Sequence, residues 1–147
     1  MAWPAPQYSK NRVRAAGKRI AKVYRENQGF VAWGINIPRA EFDVIENWRT
    51  SHGAVLNTAQ AWLRRLDKLQ RPIVGQRLKR YNTIVDKITS GRSQDLSTMH
   101  DIAGVRAIFR SLEEVADFRG QMRLSKAQHR LIHDGTKFDY IASPKST

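Results

Sequence analysis

The sequence predicts an α/β or α+β domain in which helices flank a sheet, with a helical region at the N-terminus. Three observations favour this class. Apolar residues recur at helical spacing through the front half, a short β-branched run stands at residues 102–109, and no internal repeat or low-complexity segment occurs. With 147 residues, 41% of them hydrophobic, the chain is about one domain long and can bury a core.

The first predicted element is an amphipathic helix over residues 9–26. Its apolar positions have the three- and four-residue steps of one helix face, and they are Val13, Ala16, Ile20, Val23 and Tyr24. The opposite face carries basic residues, namely Lys10, Arg14, Lys18, Lys22 and Arg25. Glycines and a proline then indicate a loop over residues 28–38.

A longer helical pattern follows over residues 45–69. Gly53 lies inside it and is expected to divide it into two helices. Pro72 ends it, because proline disfavours helical geometry in the preceding residue. Trp48 and Trp62 lie on its apolar stripe, which is typical of core residues, so no cofactor role is assigned to the tryptophans. This helical N-terminal region is predicted to span residues 1–70.

The rear half, residues 71–147, is predicted to hold both helices and strands. A short helix is expected at about residues 80–89, and Gly91 indicates a turn after it. Residues 102–109 are apolar at both alternating sets of positions, as in a central strand covered on both faces. A further strand is predicted at residues 129–133.

A last helix is predicted to begin at Ser111. Ser111 and Glu114 have the spacing of a capping box, in which each side chain accepts a hydrogen bond from the backbone N–H of the other residue. The residues expected on the inner side of this helix are Leu112, Val115, Ala116, Arg119 and Met122.

The charge of the chain is strongly positive and uneven. Lysine and arginine total 26 against 13 acidic residues, for a net charge of +13. Residues 1–37 hold seven cations and one anion, and residues 71–92 hold six and one. Such blocks attract nucleic acid, nucleotides or an acidic partner. A generally basic soluble protein is the plainer alternative.

Composition excludes several classes of protein. The chain contains no cysteine, so disulfides and thiolate metal sites are excluded. Residues 1–7 contain two prolines and no apolar run, so a signal peptide is not supported. No stretch approaches the ~18 apolar residues of a membrane span. We therefore expect a soluble, cytoplasmic protein without a membrane partner.

Part of the second basic block has a spacing that suits a polyphosphate. Residues four apart on a helix are neighbours, so Lys79, Thr83 and Lys87 would line one wall, with Arg77 just before it. One close ion pair is worth about 4 kcal/mol at an effective dielectric of about 20, so two or three convergent cations would dominate binding. A solvated basic helix face is the alternative.

Arg106 and Asp101 are the other candidate site residues. Arg106 lies inside the apolar run, where an unpaired guanidinium is costly unless it finds a partner or a cleft. About 16 Å of extended backbone separates it from Asp101, too far for a direct ion pair. We expect Arg106 to face an anion or a base and Asp101 to face a metal ion such as Mg²⁺. A local turn or capping role for Asp101 is the alternative.

Three motifs, taken in order, resemble the synthetase domain of RelA/SpoT proteins. They are Arg77-x-Lys79-x-x-x-Thr83-x-x-x-Lys87, His100-Asp101-Ile102-Ala103-Gly104-Val105-Arg106 and Asp139-Tyr140-Ile141-x-x-Pro144-Lys145. The resemblance implies a nucleotidyltransferase-like fold with a mixed sheet. It also implies an enzyme that moves the β,γ-pyrophosphate of ATP onto the 3′-hydroxyl of GDP or GTP.

The same resemblance implies roles for the matching residues. Arg77 and Arg106 would sandwich the adenine of ATP, and Lys79, Thr83 and Lys87 would hold its phosphates. Thr83 stands where serine is commoner in the family, and the hydroxyl is kept.

Two further roles concern the metal and the acceptor. Asp101 would be the catalytic residue that binds Mg²⁺, and Lys145 would lie toward the phosphates of the acceptor. In the family the pattern continues beyond this lysine into an acceptor half. Because the sequence ends at Thr147, it resembles a donor half without its acceptor half. A truncated product, another role, and a site completed by an antitoxin or a second chain are the alternatives. The family's histidine-rich hydrolase domain is not expected, since only four histidines occur.

Two other functions remain open. Residues 47–52, Asn-Trp-Arg-Thr-Ser-His, resemble the helical lead-in of small RelA/SpoT-like toxins. Some of these transfer pyrophosphate to the 3′ end of tRNA, and a basic helix at residues 9–26 suits an RNA acceptor. The third possibility is a non-catalytic nucleic-acid-binding module, which the net charge of +13 supports.

Overall fold

The computed structural model describes residues 3–27, 37–66, 72–125 and 139–140. Its helices and strands are α1 (Lys10–Glu26), α2 (Arg39–Ser51), α3 (Gly53–Leu66), β1 (Ile73–Leu78), α4 (Tyr81–Thr89), β2 (Ala103–Ile108) and α5 (Leu112–Leu124). A short 3₁₀ turn (Leu96–Thr98) precedes β2. Helices packed beside a sheet confirm the predicted α+β class.

Helix α1 begins where the sequence pattern predicts. The hydroxyl of Ser9 accepts a hydrogen bond from the backbone N–H of Arg12 at 3.2 Å, which satisfies one of the free donors at the helix start. Val13, Ala16 and Ile20 are buried, as predicted. The last two predicted apolar positions, near the end of the helix, are half-buried.

The long helical pattern divides at Gly53, as predicted. Helix α2 is capped by His52, and α3 begins at the glycine. The indole of Trp3 lies over this point, and a Cβ on residue 53 would overlap Trp3 Cε3. Gly53 is therefore required by this close contact.

The main core joins both halves of the sequence. Helix α1 packs against α2, α4 and the 3₁₀ turn. The buried side chains are Val13, Ala16, Ile20, Val44, Ile45, Ile84, Val85, Ile88, Leu96, Met99 and Ile102. Trp48 packs against this cluster and Trp62 against a smaller one beneath the sheet. The predicted division of the chain at residue 70 stays a prediction.

Helix α4 agrees with the helix predicted at residues 80–89, and the predicted turn follows it. Gly91 has a φ of +73°, in the left-handed region that favours glycine. Its backbone N–H donates to the carbonyl of Ile88 at 3.2 Å, and that of Ser93 donates to the carbonyl of Lys87 at 3.0 Å. These bonds close the C-terminal end of the helix.

Strands β1 and β2 form an antiparallel pair, and β1 is an element that the sequence analysis did not predict. The register places Ile73 opposite Ile108. One face of the pair, with Val74 and Val105, packs against α3 and against Phe118 of α5. The other face is open, and Ile73 and Ile108 are 71% and 52% exposed on it.

Within the described residues, strand β2 is therefore covered on one face, and the prediction of a central strand covered on both faces was wrong. Its residues alternate between half-buried and exposed positions. The exposed set is Gly104, Arg106 and Ile108, so the apolar run included one large apolar side chain that faces outward. Among the described elements, helices pack against one face of the sheet.

The N-cap Ser111 of α5 is confirmed, but Glu114 bonds to the residue before the cap, and the predicted inner side of the helix is wrong. The hydroxyl of Ser111 accepts from the N–H of Glu114 at 3.2 Å, and the Glu114 carboxylate accepts from the N–H of Arg110 at 2.8 Å. Phe118 is the buried residue of this helix, whereas Leu112 is 62% exposed. The helix is anchored by one aromatic ring rather than by a continuous apolar stripe.

Some predictions concern residues that the structure does not describe. The strand predicted at residues 129–133 and the acceptor-side Lys145 lie outside the described residues. Among the helices that are described, none combines the length and the apolar character needed to cross a bilayer.

Candidate functional site

A cleft of about 500 Å³ lies on the open face of β1 and β2. Its lining includes Arg77, Lys79, Asp101 and Arg106, four of the residues singled out from the sequence. The other lining residues are Gly75, Gln76, Ala103, Gly104, Val105 and Ile108. The antiparallel pairing thus brings the first two sequence motifs to one place.

The strand register puts Arg77 and Arg106 on the same face of the sheet. Arg77 is paired with Gly104 and Arg106 with Gly75. The two arginines therefore stand diagonally, a relation in which positions lie about 7–8 Å apart. A Cβ on either glycine would meet no atom within 4 Å, so the space opposite each arginine is open. Planar guanidinium groups beside such space can stack on a flat aromatic ring.

Lys79 lies in the turn between β1 and α4, which corrects the prediction that it shares one helix face with Thr83 and Lys87. Arg77 belongs to β1, and only Thr83 and Lys87 belong to α4. A four-residue spacing that crosses from a strand into a helix cannot place all its members on one helix face. Lys79 is only 6% exposed, and its backbone N–H donates to the carbonyl of Ile102 at 2.8 Å.

Asp101 joins Lys79 and Lys87 into an ion triplet that the sequence analysis did not foresee. Its Oδ2 accepts hydrogen bonds from Lys79 Nζ at 2.8 Å and from Lys87 Nζ at 2.7 Å. Partial burial raises the pKa of Asp101, but the bonds and charges of the two lysines outweigh this and lower the pKa to about 2. The carboxylate is therefore ionised throughout the physiological pH range.

The two site residues on α4 occupy different positions relative to the cleft. Lys87 reaches Asp101 from the last turn of the helix. Thr83, one turn earlier, is half-buried and is not among the residues that line the cleft. The structure thus brings Lys87 to the site and leaves Thr83 beside it.

The expectation that Asp101 binds Mg²⁺ stays a prediction. No group of three or more acidic or histidine side chains that could hold a metal occurs in the described parts of the chain. Asp101 supplies one ionised carboxylate at the edge of the cleft, with its side chain 49% exposed. Mg²⁺ is commonly bound by one or two carboxylates together with substrate phosphates, and it dehydrates reluctantly. Asp101 could supply one carboxylate of such a donor set, and its Oδ2 is already bonded to Lys79 and Lys87.

Arg49 of α2 also contacts the site, although sequence reasoning assigned it no role. Its Nε donates to the backbone carbonyl of Lys79 at 2.7 Å, and one terminal nitrogen donates to Glu46 Oε1 at 2.6 Å. The signal that pointed to this region was the motif at residues 47–52, which contains Arg49. The sequence could not show that Arg49, among the six residues of this motif, bonds to Lys79.

The geometry defines a cation-lined cleft that suits a phosphorylated ligand with a flat ring. A family comparison agrees with this class of site. Residues 76–147 match the family model described as a region found in RelA / SpoT proteins. This part of the chain is a RelA/SpoT-type region, which supports a function of the (p)ppGpp synthetase family in general. No curated protein matches the chain.

Proposed function

We propose that the open face of the sheet binds ATP and that the chain acts as the donor part of a pyrophosphokinase. The acceptor that we favour is the 3′-hydroxyl of GDP or GTP. The observation that carries this proposal is the cleft in which Arg77 and Arg106 share one face with Lys79 and Asp101 at its side. We also propose that the protein is cytoplasmic.

The base of the nucleotide would stack on the two arginines. Arg77 and Arg106 occupy diagonal positions on the strand pair, and each is paired with a glycine. The glycines leave room for a ring. Both arginines are exposed, so binding a base would cover charge that water now solvates. Cation–π contact with an aromatic system is worth about 0.5–2 kcal/mol per arginine.

The phosphates would bind at the ion triplet. Each lysine ammonium has three N–H donors, and the bond to Asp101 uses one of them. The remaining donors of Lys79 and Lys87 can bind phosphate oxygens without breaking the bonds to Asp101. Asp101 would hold Mg²⁺ beside them, and the metal would supply positive charge against the phosphate oxygens.

Pyrophosphate transfer joins the acceptor oxygen to the β-phosphorus, breaks the bond from that phosphorus to the bridging oxygen of the α-phosphate, and releases AMP. A carboxylate with a pKa of about 2 is a poor proton acceptor at neutral pH. The role of Asp101 in the proposal is therefore electrostatic. The proton of the acceptor hydroxyl passes to a group outside the described lining of the cleft.

An RNA acceptor, such as the 3′ end of tRNA, is the second candidate, and one observation favours it. A groove of about 560 Å³ between α1 and the end of α4 is lined by Lys18, Lys22 and Arg25. Arg12 and Arg14 of the same helix pair with Glu41 and Asp95, and within the groove Lys22 pairs with Glu26 at 3.6 Å. Three phosphate contacts give a log–log salt slope of about −2, at about −0.7 per contact for single strands. A guanine nucleotide acceptor should show a much weaker salt dependence.

The test of the donor site is calorimetric titration with a non-hydrolysable ATP analogue and Mg²⁺. We expect the wild-type chain to bind and Arg106→Ala to lose about 2- to 30-fold in affinity, because one of two stacking guanidinium groups is removed. Arg64→Ala, an exposed arginine on α3, is the matched control. A folded wild-type chain that does not bind the analogue would refute the proposal.

A non-catalytic nucleic-acid-binding module makes the opposite prediction. It should bind RNA equally well after Lys79→Ala and Arg106→Ala and should show no ATP binding. Loss of RNA binding only after substitution of Lys18, Lys22 and Arg25, with ATP binding retained, would instead favour the RNA acceptor.

A further inference from the structure

We propose that Arg49 is a positioning residue that holds the β1–α4 turn so that Lys79 reaches Asp101. The inference rests on the proposed donor site, and it gives a function to the motif at residues 47–52. It concerns a contact between the helical front half and the site, made by a residue outside the matched family region.

Lys79 is held at three points. Its backbone N–H donates to the carbonyl of Ile102 at 2.8 Å, and its Nζ donates to Asp101 Oδ2 at 2.8 Å. The third contact is the bond from Arg49 Nε to its backbone carbonyl at 2.7 Å. The first two contacts come from the residues just before β2, and the third comes from α2. Lys79 is therefore bonded both to the sheet region and to the helical front half.

The turn that carries Lys79 depends on this side-chain donor. Residues 79 and 80 lie between β1 and α4, so the carbonyl of Lys79 is outside both the strand pairing and the helix. Arg80, the N-cap residue of α4, makes no side-chain capping bond. A buried carbonyl without a donor is costly, and a bond from a charged donor is stronger than a neutral one.

Arg49 is itself fixed in place. A terminal nitrogen of its guanidinium donates to Glu46 Oε1 at 2.6 Å, one turn earlier on α2. The Arg49 side chain is 22% exposed, so the bond to Lys79 is partly shielded from water. A second contact joins α2 to the start of α4: the ring centroids of Phe42 and Tyr81 lie 4.8 Å apart. Helix α2 therefore meets the turn through an aromatic contact and a charged hydrogen bond.

The other polar members of the motif bond elsewhere. Asn47 accepts from the N–H of Gln7 at 2.9 Å and donates to the carbonyl of Ala5 at 3.1 Å, which fastens the N-terminal segment. Ser51 and His52 bond to the carbonyl of Trp48 within the same stretch of chain. Within the described residues, Arg49 is the member of this motif whose side chain bonds to the donor site.

The test compares Arg49→Met with Arg49→Lys and with the matched control Arg64→Met. Methionine keeps an unbranched apolar stem and removes all donors, while lysine keeps a charge but cannot bond Glu46 and the carbonyl as a fork. Two quantities are measured in each chain: hydrogen exchange of the Lys79 amide, relative to that of Ile20 in the main core, and the affinities for the ATP analogue with Mg²⁺ and for adenosine.

We expect Arg49→Met to speed exchange of the Lys79 amide by about tenfold or more while exchange at Ile20 changes little, because the turn opens locally. Affinity for the ATP analogue should fall about tenfold and affinity for adenosine much less, because the phosphate-binding lysine is displaced and the arginines are not. A general loss of stability would move both amides and both affinities together.

Two results would overturn the inference: unchanged exchange of Lys79 in Arg49→Met, or equal losses for the ATP analogue and adenosine. If Arg49→Met does not fold, Arg49→Lys decides by the same two measurements. If the wild-type chain binds no ATP analogue, the proposed function fails, and the exchange of the Lys79 amide still decides the positioning role.

Discussion

The helical core and the open sheet differ in how completely their apolar surfaces are covered. In the core, Val13, Ile45 and Ile84 are at most 1% exposed. On the open face of the sheet, the directly paired Ile73 and Ile108 are 71% and 52% exposed. The comparison indicates that stability is concentrated in the helices, whereas the sheet presents a surface for a ligand.

The border between these regions carries the charged chemistry. Lys79, Lys87 and Asp101 stand where α4 and the strands meet, and Arg49 reaches them from α2. The covered region can hold these groups in place because its core residues are closely packed. The uncovered region leaves the neighbouring cleft accessible. Predictions that alter one region and not the other test this division.

The largest expected effect is the loss of a core side chain. Ile84→Ala should lower the free energy of unfolding by about 2–5 kcal/mol, because it removes fully buried methyl groups and leaves a cavity. Ile108→Ala on the open face should change it by less than about 0.5 kcal/mol. Urea unfolding of both variants measures the difference, and equal effects would contradict the division.

The next largest effect is expected from filling the open face. Gly75→Leu places a side chain opposite Arg106, where no atom now lies within 4 Å of a Cβ. We expect affinity for the ATP analogue to fall about tenfold or more, with stability unchanged or slightly raised, since glycine weakens a strand. Gly120→Leu on α5, a position with equally open surroundings, is the control. Unchanged affinity in Gly75→Leu would argue against a ligand on this face.

A smaller effect is expected from the two helix caps. Ser9→Ala removes the cap of α1, a helix of the main core, and should cost about 1 kcal/mol of global stability. Ser111→Ala removes the cap of α5, which buries one residue. It should instead speed hydrogen exchange within α5 and change global unfolding less. Equal losses of global stability would show that α5 belongs to the same cooperative unit as α1.

The smallest effect concerns pH. The pKa of Asp101 in the folded chain is about 2, below its usual 3.8. At pH values above both numbers, the ionised carboxylate therefore contributes its full stabilisation to the fold. This contribution should disappear as the pH falls from about 4 toward 2, and partial exposure limits it to less than about 1 kcal/mol. Urea midpoints measured across this range should show a step in the wild type. The step should be reduced in Asp101→Asn and kept in Asp43→Asn, an exposed carboxylate on α2.

Local signals in the sequence predicted the helical elements well. The helix predicted over residues 9–26, the division at Gly53 and the N-cap at Ser111 are each confirmed. These features depend on residues within a few positions of one another, so a single sequence contains the information. The inner face of α5 was predicted wrongly because its apolar residues do not form one stripe, and contact with the sheet selected Phe118.

The residues that line the cleft were singled out from the sequence, but their arrangement was not, and the roles predicted for them stay predictions. Arg77, Lys79, Asp101 and Arg106 were all singled out, and all line the cleft. Strand β1 was missed because a six-residue strand containing Gly75 and two polar side chains has little local signal. Its partner is about 30 positions away, and only that pairing shows that the two arginines share a face.

The sequence alone determined where α1, α4 and α5 start, where the long helical pattern divides, and which charged residues concentrate in the rear half, but not that α2 begins at Arg39 rather than at residue 45. The features that it determined follow from residue type and short-range spacing. The tertiary structure decided that Lys79 and Lys87 share one carboxylate oxygen, that glycines face both cleft arginines, and that Arg49 holds the turn between them and α4. Those relations join residues distant in sequence, and they arise only when strand pairing and helix packing bring the backbone segments together.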